Sequence, residues 1–77
     1  MKLVITSGKN LKKEIDVDYT PDKLTRKIND YFLESIETQL NMSIDYILNG
    51  DEATLMCDSG INPMKFEFLC EIVQRNL

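Results

Sequence analysis

The sequence predicts an α+β fold in which one helix lies on one face of a mixed β-sheet. Three observations support this. Two short N-terminal segments are rich in β-branched residues, an amphipathic helical pattern with a capping signal follows them, and apolar residues alternate in the C-terminal half. The predicted order is hairpin, helix, strand, loop and strand, which is typical of two-layer α+β domains. With 77 residues, the chain is expected to form a single domain over 1–77.

The first two segments, residues 2–6 and 11–17, predict a β-hairpin. The second alternates Ile15 and Val17 with acidic residues, as a half-buried strand does. A polar stretch with a glycine, residues 7–10, separates the segments and predicts the turn. Because three consecutive residues of the first segment are apolar, its register is left open.

The helix is predicted to begin at Thr20 and Pro21. Threonine is a good N-cap, proline suits the first helical position, and Asp22 lies where the helix dipole favours an anion. The pattern predicts that the helix ends between residues 33 and 40. Apolar residues spaced by three and four follow the start and predict a buried stripe: Leu24, Ile28, Tyr31, Phe32 and Ile36.

Residues 42–48 fit two periods. Alternation of apolar residues before Asn49 and Gly50 predicts a strand that ends in a tight turn. A spacing of four residues between Leu40, Ile44 and Leu48 instead allows the helix to continue to 48. Aromatic and β-branched residues before an Asn-Gly turn favour the strand.

The remainder is predicted to be a loop over residues 51–63 and a last strand over 64–73. In this interpretation the strand lies in the centre of the sheet, beneath the helix. Its core-facing residues are Met64, Phe66, Phe68, Cys70 and Ile72, and its other face carries Lys65, Glu67, Leu69, Glu71 and Val73.

Composition restricts the chemistry. Nine basic and thirteen acidic residues give a net charge of −4, which argues against a nucleic-acid partner. The sequence has no histidine, the commonest general base and metal ligand. We therefore predict a protein that is not an enzyme and has no catalytic residues, cofactor or metal site.

The two cysteines, Cys57 and Cys70, are predicted to be reduced thiols; a single disulfide is the alternative for a secreted chain. The first residues lack the apolar region of a signal peptide, and no apolar run reaches the ~18 residues of a membrane span. The expectation is a cytoplasmic protein without direct membrane insertion. Lys9, Lys12 and Lys13 are interpreted as protection of a sheet edge in preference to a binding patch.

Several short motifs resemble ubiquitin-like proteins. They are residues 1–9 and 15–18 in the hairpin, 46–50 before a turn, and 55–61, which is similar to a "Leu-x-Asp-x-Gly-Ile" loop before a last strand. Residues 18–23 resemble the "Tyr-x-Pro-x-Lys" helix entry of the small YukD/EsaB proteins, which are ubiquitin-like accessory components of type VII secretion systems in Gram-positive bacteria.

The resemblance implies a β-grasp (ubiquitin-like) fold. It also implies a cytosolic accessory or regulatory subunit of a type VII (WXG100) secretion system that acts by protein–protein docking. The chain ends in Arg75-Asn76-Leu77 where conjugated ubiquitin-like proteins have Gly-Gly, so no conjugation is expected. The alternative function is a small phage-type or helical regulator or inhibitor that binds another protein, which would require residues 21–48 to be helical throughout.

The predicted docking surface is the sheet face opposite the helix. If the registers hold, Ile47, Leu69 and Val73 are its exposed aliphatic anchors, and Lys65 belongs to the charged rim. The implied partner is a protein of the secretion machine, either its ATPase or another membrane component. A homodimer is left open.

Overall fold

A computed structural model describes residues 1–8 and 10–77 of the chain. It contains four strands, two α-helices joined through a π-helical turn, and a C-terminal helix. In chain order these are β1 (Lys2–Ser7), β2 (Leu11–Asp16), α1 (Pro21–Lys27), the π turn (Ile28–Phe32), α2 (Leu33–Leu40), β3 (Ile44–Asn49), β4 (Glu52–Cys57) and α3 (Pro63–Asn76). The predicted α+β class with a mixed sheet is therefore confirmed.

The sheet has the strand order β2-β1-β4-β3. Strand β1 pairs antiparallel with β2 and parallel with β4, and β3 pairs antiparallel with β4. The N-terminal hairpin is confirmed. The prediction of a loop over 51–63 is wrong for Glu52–Cys57, which form a central strand: Ala53 and Leu55 point into the core and alternate with Glu52 and Thr54.

The segment after α2 is a strand, and the alternative of a helix continuing to 48 is wrong. Asn41 ends the helix in the left-handed conformation, with φ of 52°, and the Met42 N–H donates to the Glu37 carbonyl at 3.1 Å. This is the Schellman arrangement, in which a residue tolerant of positive φ stops the helix. At the other end of β3, Gly50 has φ of 67° and opens the two-residue turn into β4.

The helical segment from Pro21 to Leu40 begins as predicted. The Thr20 hydroxyl accepts a hydrogen bond from the Lys23 N–H at 3.4 Å, and the segment ends at Leu40, within the predicted range. Tyr31, predicted to lie in the buried stripe, is instead 77% exposed. The buried residues are spaced by four: Leu24, Ile28, Phe32, Ile36 and Leu40.

The π turn explains how this four-residue spacing stays on one side. In a regular α-helix, residues four apart are rotated by about 40° with each step, so the stripe would wind away from the sheet. A wider turn, in which the Leu33 N–H donates to the Ile28 carbonyl, compensates for part of that rotation. Both halves of the helix therefore bury their apolar side against the same sheet.

The prediction of a last strand over 64–73 is wrong, because residues Pro63–Asn76 form helix α3. The Asn62 side chain accepts a hydrogen bond from the Lys65 N–H at 2.8 Å, and Pro63 occupies the first turn. Met64 and Phe68, predicted to face the core, are exposed. The buried residues follow the helical period instead: Phe66, Leu69, Cys70, Ile72 and Val73.

All the helices pack against one face of the sheet. Leu3 and Ile5 of β1 and Leu55 of β4 join a single core with α1, α2 and α3. Val4 points the other way and is buried only among its neighbours on the sheet, outside that core. The molecule thus has two layers, and the second face of the sheet carries no helix.

Candidate functional site

The sheet face without helices is the first candidate surface, and we call it the uncovered face. Side chains alternate between the two faces of each strand, and the registers of the three strand pairs agree on which twelve side chains lie on this face. They are Lys12, Glu14 and Asp16 on β2; Lys2, Val4 and Thr6 on β1; Glu52, Thr54 and Met56 on β4; and Asp45, Ile47 and Asn49 on β3.

Charge and apolar surface are unevenly distributed over the uncovered face. On the β2 side, Glu14 lies between two lysines, 3.4 Å from the Lys12 Nζ and 3.7 Å from the Lys2 Nζ. Toward β3, Ile47 and Met56 are exposed large apolar side chains. Exposed ion pairs of this kind contribute at most about 1 kcal/mol to stability. The β2 side of the face is therefore charged, and we call the part on β3 and β4 around Ile47 and Met56 its apolar half.

The outer edge of β3 adjoins this apolar half. Because the turn has two residues, Asn49 and Glu52 form its closing hydrogen-bonded pair, and backbone groups alternate from there. Asp45 and Ile47 therefore direct their backbone groups to β4, whereas Ile44, Tyr46 and Leu48 direct theirs outward. The Ile44 N–H confirms this direction, since it donates to the Glu37 carboxylate at 2.8 Å.

The structure does not bring the four predicted site residues together. Ile47 lies on the uncovered face and is 48% exposed, as predicted. Leu69 and Val73 are 0% exposed in the core, so the prediction that they face solvent is wrong. Lys65 is half-buried on α3, in the helical layer. The physical reason is the period of residues 63–76: on a helix, Leu69 and Val73 share the buried side with Phe66.

A second apolar surface was missed by the sequence analysis. Met64 and Phe68 are exposed on α3, four residues apart and on the same side of the helix, with Glu67 and Glu71 beside them. The i, i+4 spacing, together with the Asn62-Pro63 helix start, was the signal that could have found this pair. We call Met64 and Phe68 the helix pair.

The two cysteines are free thiols, one half-buried and one buried. Burial raises the pKa of Cys57, whose Sγ lies 3.4 Å from the Thr6 carbonyl oxygen, and raises the pKa of Cys70 to about 11. Since the thiolate is the nucleophile, both side chains are poorly suited to covalent chemistry near neutral pH. Among residues 1–8 and 10–77, no three metal-ligating side chains lie close enough together to hold an ion.

The lysines of the predicted basic cluster are placed only in part. Lys12 and Lys13 lie on β2, an edge strand, where lysine discourages pairing with other chains. Lys9 lies outside the described residues. Edge protection therefore remains the better interpretation of the described pair.

Comparison with known proteins adds no assignment. No protein-family model, curated protein or solved structure matches the chain. None of the helices in the described part of the chain combines the length and the apolar character needed to cross a membrane. The chemistry of the surfaces is therefore the basis for a functional proposal.

Proposed function

We propose that this protein is a non-catalytic docking module that binds a protein partner through the uncovered face. The observation that carries the proposal is the apolar half of that face, where Ile47 and Met56 are exposed beside Val4 and Thr54. Apolar side chains at the centre of an interface dominate its energy, and surrounding charges mainly set orientation and on-rate. Asp45, Glu52 and Lys2 provide such a rim.

The non-catalytic part of the proposal is supported by the available functional groups. The chain contains no histidine, and burial raises the pKa of both thiols. An enzyme would need a nucleophile with an adjacent base, or carboxylates with shifted pKa values in a cleft. Binding through the exposed apolar side chains requires neither of these catalytic arrangements.

A finer proposal concerns the fold. We propose that the hairpin, the helical segment and the β3–β4 hairpin form a β-grasp core. The supporting features are the parallel pairing of β1 with β4 and a helix that connects β2 to β3 across one face. Helix α3 departs from the ubiquitin-like pattern, and residues 55–61, likened to a loop before the last strand, comprise the end of β4 and its following turn.

We further propose, on the resemblance of the short motifs, an accessory role in the cytosol for a type VII secretion system. The supporting motif is the helix entry at residues 18–23, which lies at the start of α1. The partner would be the ATPase or another membrane component of the machine. Deletion of the gene in a host with such a system is expected to abolish secretion of WXG100 substrates; unchanged secretion would contradict this role.

The docking proposal is tested with a photo-crosslinking amino acid placed at Met56 in living cells. We expect a crosslinked product with a second protein, and the same product should be lost when Ile47→Asp is added. Matched positions are Phe68 in the helix pair and Glu34, an exposed residue of α2. Crosslinks that form only at Phe68 would move the docking surface to α3 and overturn the assignment to the sheet.

A further inference from the structure

The outer edge of β3 lacks the charges that protect the other edge of the sheet, β2. Its sequence from Ile44 to Asn49 contains one charge, Asp45, and Ile47 and Leu48 are both exposed. We propose that two copies of this chain pair through this edge, antiparallel, with Ile47 of one copy opposite Ile47 of the other. Pairing through this edge does not require the partner proposed for the uncovered face.

The backbone supports this pairing. Tyr46 and Leu48 direct their N–H and C=O groups outward, as described above, and need partners outside the sheet or in water. In a two-fold arrangement centred on Ile47, Tyr46 of each copy exchanges hydrogen bonds with Leu48 of the other. Ile44 is not required, which matters because the Glu37 carboxylate already accepts its N–H.

The side chains select the same register. Opposite each other on the uncovered face are the two Ile47 side chains, at a non-hydrogen-bonded position where side chains are closest. Asp45 faces Asn49 of the other copy, so no like charges are opposed. On the helix-covered face Tyr46 lies beside Leu48 of the other copy. A shift by two residues in one direction places Asp45 against Ile47 and requires Ile44, and a shift in the other direction places Ile47 against Asn49. Both shifts separate the two Ile47 side chains and are therefore disfavoured.

This complementarity argues for a second copy over an unrelated extended peptide. The strand supplies both halves of the interface: apolar against apolar at its centre and carboxylate against amide at its ends. The result is one continuous sheet across both copies, with a joined uncovered face. The strand has six residues and each copy carries a net charge of −4, so association is weak and strengthens as salt screens the repulsion.

Sedimentation velocity on the purified protein tests the pairing. The mass is expected to rise from 8.9 kDa toward twice that value between about 10 μM and about 1 mM. Ile47→Lys should weaken association at least about tenfold. The matched control is Phe68→Lys, since Phe68 is 47% exposed and Ile47 is 48% exposed, and this control should associate like the parent.

A backbone variant distinguishes strand pairing from non-specific association through apolar side chains. Leu48→Pro removes an outward N–H that β4 does not use, so the fold should persist, with unchanged circular dichroism, while the dimer is lost. A dimer that survives both Ile47→Lys and Leu48→Pro would overturn the proposal.

The register is tested by cysteine crosslinking. Ile47→Cys should form an intermolecular disulfide on mild oxidation, because non-hydrogen-bonded antiparallel pairs bring Cα atoms to about 4.5 Å. Asp45→Cys should not, since the register holds the two copies of residue 45 far apart, and the parent controls for Cys57 and Cys70. Crosslinking through residue 45 but not 47 would overturn the register.

A parent protein that stays monomeric at about 1 mM would overturn self-pairing and leave the edge to an extended segment of another protein. Failure of this kind is distinguishable from failure of the docking proposal, which is measured by crosslinking at Met56 in cells. The sedimentation experiment requires only the purified chain.

Discussion

The two edges of the sheet have the same length and opposite chemistry. Strand β2 has six residues, of which four are charged, and two of those are adjacent lysines. Strand β3 also has six residues but only one charge, and it exposes both Ile47 and Leu48. Both edges lie next to a central strand and are backed by the same helical layer.

The difference shows that burial alone does not determine how an edge behaves. Charges on β2 make pairing with another strand costly, because their desolvation would not be compensated. Strand β3 lacks that protection. Among the described residues, its outward backbone groups make one hydrogen bond, from the Ile44 N–H to the Glu37 carboxylate. Association is therefore expected at one edge of the sheet and not at the other.

The largest expected effect comes from removing the layer that supports both edges. Leu69→Asp would bury a carboxylate at a position that is 0% exposed, which is expected to cost more than about 4 kcal/mol and leave the chain largely unfolded. The measurement is urea unfolding followed by circular dichroism.

The matched control for this variant is Phe68→Asp, one residue earlier on the exposed side of α3. It should change the free energy of unfolding by about 0.5 kcal/mol or less. If Leu69→Asp instead unfolded at the parent's urea midpoint, residues 63–76 could not pack against the sheet as a helix.

Helix α3 also shows where sequence analysis fails. Phe66 and Cys70 are four apart, so they share a side in a helix and a face in a strand, and the pattern allows both. Phe68 and Leu69 separate the two interpretations, since a strand buries the first and a helix buries the second. The Asn62-Pro63 pair resembled the Thr20-Pro21 helix start, and this capping signal was the better guide.

Strand β4 was missed for a different reason. Its acidic start at Glu52 follows the Asn49-Gly50 turn and resembles loop composition, although Ala53 and Leu55 alternate with polar residues as in a strand. Its parallel pairing with β1 joins residues about fifty positions apart, and local patterns carry no signal for such contacts. The hairpin and the first helix were predictable because their signals are local.

The docking site was predictable only in part. Ile47 could be found because the alternation before the Asn49-Gly50 turn is a short-range signal that favoured the strand over the helix. Met56 lies on β4, which was predicted to be a loop, and Val4 lies on β1, which pairs with β4 across about fifty positions. The apolar half of the uncovered face therefore could not be assembled from the sequence. Leu69 and Val73 followed the incorrect strand assignment.

The second prediction is that the β2 edge can be made to pair by giving it the apolar side chains of β3. The double variant Lys13→Tyr/Glu14→Ile gives β2 the Tyr-Ile pair found at the centre of β3. Self-association is expected to strengthen at least about tenfold, or 1.4 kcal/mol, because the second edge becomes available. Sedimentation velocity measures this, with Lys13→Ser/Glu14→Ser as the control that removes charge without adding apolar area. If neither variant associated more strongly than the parent, the charges of Lys13 and Glu14 would not be what protects this edge.

The third prediction concerns the tie between α2 and β3. Glu37→Ala removes the acceptor of the Ile44 N–H and is expected to lower the free energy of unfolding by about 1 kcal/mol. Glu37→Gln keeps an oxygen acceptor and should lower the free energy of unfolding by less. Glu34→Ala, on the exposed side of the same helix, should leave the free energy of unfolding almost unchanged. If Glu37→Ala and Glu34→Ala unfolded alike in urea, the hydrogen bond would contribute nothing to holding the edge.

The smallest effect uses the two cysteines as reporters of the two edges. Cys57 on β4 is paired in register with Ile44 of β3, and Cys70 on α3 lies under β2 beside Leu11 and Lys13. Burial raises the pKa of both thiols, that of Cys70 from 9.0 to about 11. The protonated thiol of Cys70 therefore contributes stability below pH 9 that is lost as the pH rises toward about 11, since the unfolded chain releases that proton first.

Iodoacetamide labelling at about pH 8 should consequently modify Cys57 before Cys70, and both more slowly than an unfolded chain, because the thiolate is the reacting form. Peptide mass spectrometry over time resolves the two sites. Because Cys57 lies beside the weakly held β3 and Cys70 beneath the charged β2, Ile47→Lys should leave this order unchanged, while Glu37→Ala should speed Cys57 alone. Equal acceleration of both thiols by Glu37→Ala would mean that the two edges open together, and that the contrast between them is one of surface chemistry only.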